Sequence, residues 1–102
     1  MMRQPYRTTL EADEDIISLY VEGVRQFGVI QAEAYLQRLI ACFDLLAEQP
    51  ALGRRYRGLR APVRLHFHGS HVVAYSDTDD GLVIIRVLHG RSNWERHLDP
   101  EG

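Results

Sequence analysis

The chain has 102 residues, of which 45% are hydrophobic, and a formal net charge of −2. This length predicts one domain over residues 1–102 with a single core, and the charge excludes a general affinity for nucleic acid, so we expect no sequence-specific binding of it. A single cysteine, Cys42, excludes an internal disulfide and any multi-cysteine metal site.

The N-terminal segment predicts a short strand followed by a helix. Tyr6–Thr9 is typical of a strand, and Thr8 or Thr9 can cap a helix whose first turn, residues 11–15, is rich in acids. Apolar residues at helical spacing follow, and Gly28 supplies the stop.

A second helix is predicted from about Ile30 to Glu48, ended by Pro50. Two helices joined by so short a loop form a hairpin, and each needs a surface to cover. The apolar stripe of the second helix consists of Ala32, Leu36, Leu39, Ile40, Phe43, Leu46 and Ala47.

Alternating residues from position 63 onward predict a β-hairpin with a turn at Gly69-Ser70. This turn pairs residue 68 with 71, 66 with 73, and 64 with 75. One face of the hairpin, expected to stay open, carries Arg64, His66, His68, His71, Val73 and Tyr75. The other face, expected to receive the helices, carries Val63, Leu65, Phe67, Val72 and Ala74.

The last strand, residues 82–89, is an apolar run with one internal arginine, Arg86. An unpaired guanidinium costs several kcal/mol to bury, so Arg86 needs water or an anionic partner. A shift of the strand register by one residue moves the Arg86 side chain from one face of the sheet to the other. We favour the open face; the alternative is an internal ion pair with an acid such as Asp15.

Charge is unevenly distributed along the chain. All 12 basic residues are arginine, and between Gly53 and Ser76 there are five arginines and three histidines but no acid. The segment is either a solvated surface or a docking site for an acidic partner. Its arginines are Arg54, Arg55, Arg57, Arg60 and Arg64.

Three histidines, His66, His68 and His71, are close enough in the predicted hairpin to suggest a metal site. No acid or cysteine completes the set, and the nearby arginines oppose a cation. We therefore expect neither a metal nor another cofactor.

The predicted order β-α-α-β-β-β, with a mainly antiparallel sheet and the helical hairpin on one face, defines an α+β class. This order of elements, together with five groups of residues, resembles the ParE-type toxins of the RelE/ParE superfamily of type II toxin–antitoxin systems. The resemblance covers essentially the whole chain. Its residues are Ala12, Asp15, Ile16 and Tyr20; Leu46-x-x-x-Pro50-x-x-Gly53-Arg54; Leu59-Arg60; His71-Val72-Val73-x-Tyr75; and Ile85-Arg86-Val87-Leu88-His89-Gly90-Arg91.

The resemblance implies one of two mechanisms. RelE-type members cut messenger RNA on the ribosome by acid–base chemistry, for which His89, Arg64, Arg86 and Arg91 are the candidates here. ParE-type members act without catalysis, by binding DNA gyrase and trapping its cleaved complex with DNA. The chain has no lysine and no tyrosine after Arg91, and the indole of Trp94 cannot carry protons, so the ParE-type function is favoured and the chain is expected not to be an enzyme.

The resemblance also implies partners: a ParD-like antitoxin that orders on the toxin, in a hetero-oligomer, and DNA gyrase. A third alternative is a non-toxic member that only binds its antitoxin. No signal peptide or membrane span is visible, which predicts a cytoplasmic protein without membrane contact. The candidate partner-binding residues are Arg54, Arg57, Arg60, Arg64, Tyr75, Arg86, His89, Arg91 and Trp94; for Trp94 the alternative is a core plug.

Overall fold

A computed structural model of the chain describes residues 5–57 and 62–98. These residues form an α+β fold, which confirms the predicted class. The elements are β1 (Tyr6–Thr8), α1 (Leu10–Phe27), α2 (Val29–Glu48), a 3-10 turn (Pro50–Leu52), β2 (Arg54–Tyr56), β3 (Val63–His68), β4 (His71–Thr78), β5 (Gly81–His89) and α3 (Trp94–Leu98). The strand β2 and the helix α3 were not predicted.

The helical hairpin begins and ends where the sequence predicts. The Thr9 hydroxyl accepts a hydrogen bond from the backbone N–H of Ala12 at 3.0 Å, which caps α1. Gly28 has a φ of 88°, a conformation that favours glycine, and it separates the two helices. None of the described helices is long and apolar enough to cross a membrane.

The sheet has the strand order β1-β5-β4-β3-β2. β3 and β4 pair as predicted, with His68 opposite His71, His66 opposite Val73 and Arg64 opposite Tyr75. β1 pairs with β5 in parallel, whereas the other neighbouring pairs are antiparallel. The mixed sheet therefore places the first and last strands side by side.

The hairpin covers the face that was expected to stay open, so the predicted assignment of the two faces is wrong. Val73 and Tyr75 of β4 pack in the same core as the helix residues Leu39 and Phe43. The reason is the position of the helices: they lie over β1, β5 and β4, whose residues on this face are apolar. Arg64 and His66 are on β3, which lies nearer the opposite edge of the sheet, next to β2.

The opposite face holds a second, smaller core that α3 covers. Its buried residues are Val63, Leu65, Val72, Ala74 and Leu88, against which Tyr56, Ile85, Trp94 and Leu98 pack. Neither face of the sheet is therefore bare. Recognition surfaces have to lie at the ends and edges of the sheet and on the outside of the helices.

Candidate partner-binding site

The guanidinium of Arg86 forms an internal ion pair with Asp15 of α1. Arg86 Nε donates to Asp15 Oδ2 at 2.7 Å and Arg86 Nη2 donates to Oδ1 at 3.0 Å. The hydrogen bonds to Asp15 are the main reason that the pKa of Arg86 is raised, with burial acting against it. The predicted open-face position of Arg86 is thus wrong, and the alternative, an ion pair with Asp15, is correct.

Two features of β5 explain this pair. A bulge between Ala74 and Tyr75 pairs Ala74 with Arg86 but Tyr75 with Ile84, leaving Ile85 as the extra residue. β1 pairs only as far as Ile84, and beyond it Asp15 Oδ2 accepts the backbone N–H of Val87 at 3.0 Å. The carboxylate therefore takes the place of a strand at this edge.

A groove of about 810 Å³ opens beside this ion pair, between the helical hairpin and the ends of β4 and β5. Its volume lies within the range of ligand-binding clefts. Its apolar walls include Leu19, Gly23, Phe27, Ala32, Val87 and Leu88.

One end of the groove carries Tyr35, Arg38, His71 and His89, and His68 lies beside them against the Tyr35 ring; we call these five side chains the histidine cluster. The Tyr35 hydroxyl lies 2.7 Å from His71 Nδ1, and it donates to the His68 carbonyl at 3.1 Å. The rings of His71 and His89, opposite each other on β4 and β5, are 5.4 Å apart. Among the described residues no group of histidines, cysteines and acids has the arrangement of a metal site.

The segment between Gly53 and Ser76, which we call the arginine segment, begins at the β2 edge of the sheet, opposite β1. Arg54, Arg55 and Arg57 are exposed, on or next to the outermost strand β2. Arg64 is half-buried, and its Nη1 donates to the Gly53 carbonyl at 2.7 Å. Arg60 lies outside the described residues. The segment thus offers three exposed guanidinium groups to a partner.

Tyr75 is a core residue, which corrects its assignment to the partner-binding surface. Its side chain is 0% exposed. The hydroxyl donates to the Pro50 carbonyl and accepts the backbone N–H of Gly53, both at 2.7 Å. Tyr75 therefore fixes the chain after α2 onto the sheet.

The three C-terminal candidates occupy different surroundings. His89 and Arg91 are exposed, and the backbone N–H of Arg91 donates to His89 Nδ1 at 3.2 Å. Trp94 is half-buried, with its ring 5.6 Å from that of Tyr56 and 6.2 Å from that of Phe67. The core-plug interpretation of Trp94 fits this packing.

Of the four candidate nuclease residues, Arg64 lies apart from His89. Arg64 and His89 pair with Tyr75 and His71, which are four residues apart on β4, or about 13 Å. Arg86 is bound to Asp15, and Arg64 is bound to a backbone carbonyl. Arg64 is therefore too far from His89 to act with it on one phosphate, and the Arg86 guanidinium already has a carboxylate partner.

Sequence reasoning missed three groove residues. Tyr35, Arg38 and His97 all line the groove, and none of them was among the candidate site residues. The position of Tyr35 and Arg38, three residues apart on a helix and next to the apolar stripe, is a signal that the sequence does contain. His97 becomes a groove residue only because α3 folds back.

Comparisons with known proteins agree on one family. The sequence model of the family described as "ParE toxin of type II toxin-antitoxin system, parDE" matches residues 6–94. "Toxin ParE1" of Caulobacter vibrioides is 37% identical over 95 residues, covering 93% of this chain and 98% of that protein. "Toxin ParE1" of Mycobacterium tuberculosis is 38% identical over 74 residues, covering 72% of this chain and 76% of that protein.

A solved structure has the same fold. A chain from the chromosomal ParDE TA system of P. aeruginosa superposes with a TM-score of 0.70 and 16% sequence identity. The match covers 82% of this chain and 92% of the other.

Proposed function

Because this chain belongs to the ParE toxin family of type II toxin–antitoxin systems, we propose that it inhibits DNA gyrase by binding rather than by catalysis. In this proposal it stabilises the gyrase complex in which DNA is cleaved. Each tenfold shift of the population towards the cleaved complex requires about 1.4 kcal/mol of preferential binding. The activity belongs to residues 1–102 acting as one domain in the bacterial cytoplasm.

One observation carries the preference for binding over catalysis: two candidate phosphate stabilisers are dispersed, Arg64 lying far from His89 and Arg86 being held by Asp15. Arg64 and His89 lie on either side of β4, and the β4 residues with which they pair are four positions apart. RNA cleavage requires these groups around one phosphate. The dispersed arrangement supports a toxin that acts through its surface.

We further propose that a ParD-like antitoxin neutralises this chain in a hetero-oligomer. Two surfaces support such docking: the apolar groove and the exposed arginines Arg54, Arg55 and Arg57. An antitoxin segment that orders on binding can cover both, with acidic side chains on the arginines.

Expression in growing bacteria tests the proposal against its two alternatives. We expect growth arrest and cleaved DNA in cells that make this chain alone, and normal growth when its ParD-like antitoxin is expressed with it. New 5′ ends in ribosome-bound messages with intact DNA would instead identify a nuclease. Unchanged growth would identify a member that only binds its antitoxin.

The variant His89→Ala separates the two toxic mechanisms. A nuclease that uses His89 loses about 10²–10⁴-fold in rate when its general acid or base is removed. A gyrase inhibitor with the same change loses only one contact and keeps most of its toxicity.

A further inference from the structure

The histidine cluster combines one permanent cation, Arg38, with histidines that become cations when they are protonated. The Arg38 guanidinium carbon lies 5.7 Å from the centre of the Tyr35 ring. That ring lies 5.6 Å from the ring of His68 and 5.5 Å from that of His71. The Tyr35 ring thus lies against two histidine rings and a guanidinium, and its hydroxyl is bonded to His71 Nδ1.

The histidines repel one another when protonated. Burial lowers the pKa of His71, and the neighbouring His89 and His68 lower it further. Burial likewise lowers the pKa of His68, followed by His66 and Arg38. These effects all disfavour the charged rings, so an anion placed between them would relieve the repulsion.

The carboxylates of the groove do not supply this anion. Among the described residues that line it, the acids are Asp15 and Glu22, both on α1. Asp15 is already bound to Arg86 at 2.7 Å. The histidine cluster therefore has room for a carboxylate from outside the chain.

We propose that the histidine cluster binds a glutamate or aspartate side chain of the polypeptide segment that fills the groove. This inference rests on the proposed function, because that segment belongs to the antitoxin. The remaining walls, with Leu19, Phe27 and Leu88, take apolar side chains of the same segment. A segment with one carboxylate followed by apolar residues matches a groove that has cationic groups at one end and apolar walls along the rest.

A nucleic acid fits the groove less well. A phosphate backbone needs successive cationic groups along its path. Here the cations are concentrated at one end, the walls are apolar, and Glu22 adds a negative charge. The groove therefore favours a peptide over a polynucleotide.

Carboxylate binding makes the affinity depend on pH, since the bound anion stabilises protonated rings. The charged groups that face the cluster are Asp15 and Glu22 of α1, Arg38 of α2, Arg86 of β5 and His97 of α3, with His66 and Arg91 nearby. Each unit by which binding raises the pKa of one histidine gives about a tenfold gain in affinity below that pKa. We expect a gain of about tenfold from pH 8 to pH 6.

NMR titration of the histidine Hε1 signals tests the site with acetate, inorganic phosphate and a single-stranded oligonucleotide as probes, at equal ionic strength. Replacing chloride by acetate should raise the titration midpoint of His71. The double variant His71→Asn/His89→Asn should abolish the remaining response at His68, whereas His66→Asn, outside the groove, should preserve it. Midpoints that respond to no probe, or only to the oligonucleotide, would overturn the proposal.

The antitoxin itself provides the second measurement. The purified ParD-like antitoxin should bind the wild-type chain about tenfold more tightly at pH 6 than at pH 8, and bind the double variant with little pH dependence. Equal pH dependence in both chains would overturn the carboxylate site but leave the gyrase proposal intact. Failure of the gyrase proposal would give a different result: the wild-type chain would bind the antitoxin but leave gyrase active.

Discussion

Arg86 and Asp15 join β5 to α1, and both side chains are largely shielded, with 22% and 15% of their surfaces exposed. If one partner is removed, the remaining charge has little contact with water that could compensate for the lost ion pair. We expect Asp15→Ala to lower the free energy of unfolding by about 2–4 kcal/mol, because the Val87 N–H also loses its acceptor.

A double-mutant cycle with Arg86→Met measures the pair itself. Urea unfolding of the two single variants and the double variant should give a coupling of about 1–3 kcal/mol. The exposed neighbour Glu14 offers a matched control: Glu14→Ala should change stability by less than about 0.5 kcal/mol. Additive single changes would show that the ion pair contributes nothing beyond its separate parts.

Gly53 is required by the close approach of Tyr75. A Cβ at this position would collide with the Tyr75 hydroxyl and ring. Gly53→Ala should therefore destabilise the chain by about 1–3 kcal/mol, and Tyr75→Phe by a similar amount, since it leaves the Gly53 N–H without its acceptor.

Gly23, in the middle of α1, is the control for this prediction. A Cβ there would meet the Cβ of Ala32 at 3.4 Å, an ordinary contact. Gly23→Ala should raise the unfolding free energy by up to about 1 kcal/mol through helix propensity. Thermal unfolding that ranks the two alanine variants in the opposite order would contradict the account.

The C-terminal helix α3 is an element whose role depends on one side chain. Trp94 packs edge-on against Tyr56 and Phe67 and helps to cover the second core. Because Trp94 is only half-buried, Trp94→Ala should cost about 1–3 kcal/mol, less than a fully buried tryptophan. The exposed Arg96 on the same helix gives a control, Arg96→Ala, which should be neutral in chemical denaturation; equal effects would mean that α3 does not stabilise the fold.

The helices, the β-hairpin register and the class of the fold could be predicted from the sequence because each depends on local patterns. Thr9, Gly28 and Gly69-Ser70 set element ends and turns that need no long-range information. The face that the helices cover could not be predicted, because it depends on which strands lie beneath them. β3 alternates clearly, but the helices rest on β5 and β4.

The partner-binding site was only partly predictable for the same reason. Exposed Arg54 and Arg57 follow from a segment without acids. The internal role of Arg86 depends on the β5 bulge, and the groove position of His97 depends on α3 folding back. Tertiary contacts of this kind leave little trace in one sequence.

The whole molecule should lose stability in mild acid because of two half-buried histidines, His68 and His71. The pKa values of His68 and His71 are lowered from the ordinary value of 6.5. The unfolded chain therefore binds more protons in this range, so the stability is full above about pH 6.5 and falls as the pH drops through the lowered values. Urea midpoints should decline below this pH, and less steeply in His71→Asn; parallel curves would contradict the assignment.

We propose that this member of the ParE toxin family acts on gyrase through its surface, without cutting nucleic acid itself. The most direct test adds the purified chain to gyrase and supercoiled plasmid, then denatures the mixture and measures linear DNA. The account predicts linear DNA that increases with toxin, requires gyrase, persists with His89→Ala and disappears when antitoxin is added first. Unchanged supercoiling, with no linear DNA at any toxin concentration, would contradict it.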